Sequence, residues 1–73
     1  MGKSIEELVF VVEEAPEGGY TAKALGVSIV TEGDDLEELR NQIVDAVQCH
    51  FPQESNRPRI IRLHMVKDEV FAP

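Results

Sequence analysis

Three groups of residues carry the side chains from which chemistry could be built. Cys49 and His50 are adjacent, and His64 follows fourteen residues later. Carboxylates come in pairs: Glu13/Glu14, Asp34/Asp35 and Glu37/Glu38. Arg57, Arg59 and Arg62 form a small basic cluster. A zinc site needs four N, S or O donors converging on a tetrahedron. Neighbouring helical residues point about 100° apart, so Cys49 and His50 do not converge on one ion. A cysteine nucleophile needs a facing base and a group that orients it. His64 could be that base, but no third group is evident. Paired carboxylates at turns and helix starts are usually solvated or capping, and arginines near acids usually pair locally. Gly18, Gly19 and Gly33 lack the spacing and the following Lys-Ser/Thr of a phosphate-binding loop. A Mg²⁺-dependent nuclease needs carboxylates projecting from strand interiors, and the strands read from this sequence contain none. No catalytic residue, cofactor site or metal site is expected, and the chain reads as a non-enzyme.

Charge is the stronger signal. The chain has 73 residues and a formal net charge of −7. Residues 1–38 hold ten acids (Glu6, Glu7, Glu13, Glu14, Glu17, Glu32, Asp34, Asp35, Glu37, Glu38) against Lys3 and Lys23. Residues 39–73 hold five bases (Arg40, Arg57, Arg59, Arg62, Lys67) against four acids (Asp45, Glu54, Asp68, Glu69). Such asymmetry is either a solvated surface or an acidic face that steers a basic partner. Direct nucleic-acid binding is not expected, because it requires Lys and Arg to displace phosphate counterions.

Length allows one small domain, 1–73, of marginal stability alone; association would supplement it. The single Cys49 excludes an internal disulfide, which fits a reducing cytoplasm. The segment Met1 to Glu6 has neither the apolar run of a leader nor the Ser/Thr of a myristoylation signal. No apolar run is long enough to span a bilayer, so no membrane association is expected.

The elements that position these residues follow from pattern. Leu8 to Val12 is a continuous apolar, β-branched run, the mark of a central strand buried on both faces. Glu13 to Gly19 is a turn. Tyr20 to Leu25 alternates as a second strand and Gly26 breaks it. Val27 to Thr31 reads as a third. Asp35 is the expected helix N-cap, with Glu38 three residues on completing a capping box. Leu36, Leu39, Ile43, Ala46, Val47 and Phe51 recur at the helical period, giving about sixteen helical residues ended by Pro52. Gln53 to Pro58 is a polar loop and Arg59 to Val66 a fourth strand; Val70 and Phe71 would pack as a short extension. The expectation is an α+β domain, β-β-β-α-β. Its four-stranded, mostly antiparallel sheet has order 3-2-1-4, with one helix on one face. The other face would be left open, and a second copy is the economical cover, as a homodimer or a dimer of dimers.

Two segments carry a family resemblance. Gly18-Gly19-Tyr20-Thr21-Ala22 followed by Thr31-Glu32-Gly33-Asp34-Asp35-Leu36-Glu37-Glu38-Leu39 resembles the HicB-like antitoxin domain over roughly residues 8–50. The resemblance implies a protein-binding module that masks a small basic ribonuclease toxin of the HicA type. Alternatively the chain is a solitary homo-oligomeric member with a regulatory or structural role. On the antitoxin reading, Glu13, Glu14, Glu17, Glu32, Asp34, Glu37 and Glu38 are the candidate partner-binding residues. The chain departs from the family pattern at Val27-Ser28-Ile29, where members usually carry Pro-Gly-Cys. It shows no helix-turn-helix or ribbon segment, so the autorepressor role of longer members is not expected. Some similar short chains bear the name of a 2-oxoisovalerate dehydrogenase subunit. One small domain without a thiamine-binding motif cannot enclose thiamine diphosphate.

With no basic stripe and −8 on residues 1–38, the isolated chain should not retard a short DNA or RNA duplex at physiological salt. A salt-sensitive mobility shift at sub-micromolar protein would refute this.

Overall fold

In a computed structural model, which describes residues 6–67 and 70–73, the chain folds as β1 (Glu7–Glu14), β2 (Tyr20–Ala24), β3 (Val30–Gly33), α1 (Leu36–His50) and β4 (Ile60–Val66). A 3-10 turn, Glu54–Asn56, precedes β4. The strands form one sheet in the order β3-β2-β1-β4. β1 and β3 run antiparallel to β2, and β4 runs parallel to β1. This is the expected α+β topology. The reading of Met1 to Ile5 lies outside the described residues.

Alternation along β1 builds the core. Leu8, Phe10 and Val12 are buried against α1, with Phe10 and Val12 fully enclosed. Across the ladder, Phe10 pairs with Ala24 and Val12 with Ala22. Large residues on β1 thus stand beside small ones on β2. The helix settles over the lower side: its backbone approaches β3 and β2, not β1 or β4. Leu39, Ile43 and Val47 fill the space beneath it, with Leu36, Ala46 and Phe51 packed around them. The closest approach is at Gly33, where a Cβ would lie 2.6 Å from the Leu39 nitrogen and 2.8 Å from its Cα. No side chain fits there without moving the helix.

The helix ends follow their caps. Asp35 Oδ1 accepts from the Glu38 amide at 2.7 Å. The Glu38 carboxylate accepts in return from the Asp34 amide at 2.6 Å, one residue ahead of the cap itself. At the other end Phe51 N donates to Val47 O, and Arg57 donates to the carbonyls of Phe51 and Pro52. Arg57 therefore serves orphan helix-end carbonyls rather than an acid.

Three expectations are corrected. The third strand is Val30–Gly33, not Val27 to Thr31. Reversal after β2 takes up Leu25 to Ser28: Gly26 sits at φ 92° and Ala24 N donates to Ile29 O. Ile29 fills the core before pairing begins at Lys23 and Val30. β1 is central, but it is not buried on both faces: Val9 and Val11, opposite the helix, are only half-buried. One helix covers one side, and no described residue covers the other. Val70 and Phe71 do not pack; Phe71 is 77% exposed.

Gly33→Ala should destabilise the fold by about 1–3 kcal/mol, as overpacking against helix backbone does. Asp35→Ala should cost about 1 kcal/mol through the lost cap. Denaturant melts check both; a neutral Gly33→Ala would mean that α1 does not sit against the end of β3.

Candidate functional site

The sheet order brings four chain segments to one end of the molecule: the end of β1, the start of β2, the end of β3 and the start of α1. Pairing of Tyr20 with Gly33 and of Glu14 with Tyr20 fixes their register. The β1–β2 turn is closed by Ala15 N donating to Gly19 O and Gly18 N donating to Ala15 O. Gly18 and Gly19 both have positive φ, 104° and 84°. A Cβ on Gly19 would stand 2.9 Å from the Gly33 carbonyl oxygen. The turn is therefore seated directly on the β3–α1 junction. This is the physical content of the Gly-Gly-Tyr segment: it lets the hairpin tip touch the helix start.

All seven sequence-derived acids lie at this end, and all are exposed. Glu13 and Glu14 close β1, Glu17 is at the turn, Glu32 is in β3, Asp34 links β3 to α1, and Glu37 and Glu38 open the helix. They do not form one flat patch. Glu13, Thr21 and Glu32 stand in one register row on the face away from the helix. Glu14, on the other face, pairs with Tyr20. Tyr20, Glu32, Asp34 and Glu38 line a shallow cleft of about 290 Å³ between turn and helix. Glu38 is also a capping group, so only part of its charge faces outward. Asp35 shares this end, with its carboxylate engaged as the helix cap. The acids also surround the positive end of the helix dipole, which stabilises them there.

Other candidates are separated by the fold. His64 pairs with Val11 and so stands on the face away from the helix, whereas Cys49 is on α1. The sheet lies between them, and the expectation that His64 could lie near Cys49 fails. The His50 ring packs edge-on against Phe51 at 4.8 Å. Arg62 forms an exposed ion pair with Glu7 on the neighbouring strand, the kind that contributes at most about 1 kcal/mol. The premise that strands carry no acid is also overturned: β1 extends over Glu13 and β3 over Glu32. Even so, no three His, Cys, Asp or Glu side chains among the described residues converge as metal ligands. No helix among the described residues is long and apolar enough to cross a membrane.

The chain is similar to two short proteins. It is 49% identical over 59 residues to a UPF0150 protein of Archaeoglobus fulgidus, covering 81% of this chain and 86% of that one. It is 42% identical over 67 residues to a UPF0150 protein of Thermotoga maritima, covering 92% and 93%. No family model matches the chain, and no solved structure matches it significantly.

Proposed function

The chain belongs to the UPF0150 family, and we propose that it is a non-catalytic, cytoplasmic protein-binding module of the HicB antitoxin type that masks a small basic ribonuclease toxin. The observation that carries this reading is the gathering of seven exposed carboxylates at one end of the sheet, from two stretches of the chain, 13–17 and 32–38. Such a field attracts a basic protein and accelerates encounter. Masking itself is steric and needs no reaction. The resemblance of Gly18 to Tyr20 and of Thr31 to Leu39 to HicB-like domains supplies the class of partner.

Contacts should divide by depth. Exposed acids at the rim set the association rate, whereas buried apolar contacts control dissociation. A second reading rests on a different surface. On the face away from α1, Val9 and Val11 are half-buried and Leu25, Val30 and Ile60 are exposed, Val30 by 67%. This face also carries Glu13, Lys23, Glu32 and Arg62, but covering its apolar members with a second copy would favour a solitary homo-oligomer, a dimer or a dimer of dimers, with a regulatory or structural role and no toxin.

The test is stopped-flow binding of a Glu13→Lys/Glu14→Lys/Glu17→Lys variant to the purified product of a neighbouring short basic reading frame. Glu38 is left alone because it caps the helix. Association should slow at low salt and lose its salt dependence, with dissociation little changed. An association rate unaltered at both low and high salt would make the charge a solubility feature and move the homo-oligomer reading ahead.

A further inference from the structure

The helix layer is too narrow for its sheet. Four strands span about 19 Å at their usual spacing, whereas a helix with its side chains is about 10 Å wide. Because α1 sits over β3 and β2, the uncovered strip falls on β4. There Ile61 and Leu63, register partners of the buried Leu8 and Phe10, are only half-buried, and Met65 is 49% exposed. Val44 on the adjoining flank of α1 is 44% exposed. Between them lies an apolar cleft of about 130 Å³ lined by Arg40, Ile43, Val44, Ile61 and Leu63. A cavity of about 150 Å³ with similar walls accepts a benzene ring, so this one has the size of a phenyl group.

The same chain displays a largely exposed phenyl group. Phe71 is 77% exposed and Val70 still more so. The geometry points to Phe71 of a second copy as the occupant of the cleft, in a reciprocal exchange that joins two chains. Charge agrees with this: Arg40 at the cleft rim has no ion-pair partner among the described residues, and Asp68 and Glu69 immediately precede Val70 and Phe71 in sequence. The chain's own Phe71 does not fill the cleft: it is 77% exposed, while Val44 is 44% exposed and Ile61 and Leu63 are only half-buried. This contact does not depend on the acidic end or on the open sheet face.

The test uses the full chain with Cys49→Ser and Ala72→Cys, carrying a nitroxide at position 72 and no isotope. It is mixed with ¹⁵N-labelled, unmodified chain. The amides of Val44, Ile61 and Leu63 in the ¹⁵N chain should broaden. Adding Phe71→Ser to the nitroxide chain should abolish the broadening. Phe71→Ser in an otherwise unmodified chain should raise the dimer dissociation constant, by sedimentation equilibrium, about tenfold or more, the scale of withdrawing an aromatic ring from an apolar cleft. Because Phe71 is 77% exposed and lies outside the core cluster, this variant should keep the parent melting behaviour when dilute. The proposal is overturned if the partner's amides do not broaden. It is equally overturned if broadening appears only when label and isotope share a chain, or if Phe71→Ser leaves the dissociation constant unchanged.

Discussion

Gly33 lies where β3 gives way to α1, and a methyl group there would sit 2.6 Å from a backbone nitrogen of the helix. The position of the helix follows from this contact and from Ala22 and Ala24 beside it, both buried and both small. Phe10, Leu8 and Val12 form a ridge on β1; the alanines and the glycine form a floor on β2 and β3. A helix packed at interior density must settle on the floor and lean its apolar stripe against the ridge. Leu39 and Ile43 are fully enclosed because of that fit. The same fit leaves β4 without a lid, so the seat of the helix on Gly33 goes with the apolar cleft beside β4.

The acidic end has a comparable origin. The hairpin tip can rest on the β3–α1 junction only because Gly19 has no side chain to meet the Gly33 carbonyl. Once it rests there, Glu17 and the end of β1 share one end of the molecule with Glu32, Asp34 and the first turn of α1. Like charges brought together repel. The cost is limited by their exposure and offset in part by the helix N-terminus and by the two hydrogen bonds that Asp35 and Glu38 make to main-chain amides. The charge is thus carried on strand ends, a closed turn and a capped helix start.

The apolar side chains outside the core fall in two places. The face away from α1 presents Val9, Val11 and Val30. The cleft on the helix side presents Val44, Ile61 and Leu63. A chain of 73 residues has little core to spare, and covering either surface would add to the apolar area it removes from water.

Much of the fold was legible in the sequence. The first strand, the single helix, the Asp35 cap and the stop at Pro52 are each fixed by local signals: an apolar run, a helical period, a capping side chain, a proline. These act over a few residues, where the chain has little choice. The charge bias of the first half was legible too, as a count. Other features were decided only by the tertiary structure, because they depend on which distant segments are brought together. Val27-Ser28-Ile29 looks like a strand, but reversal after Gly26 consumes it. His64 looks available to Cys49, but the pairing of β4 with β1 turns it to the opposite face. Seven carboxylates scattered from Glu13 to Glu38 become one end of the molecule. Phe71, which reads as a packed extension, is 77% exposed, because α1 sits over β3 and β2 and no local signal shows that the strip on β4 is left uncovered.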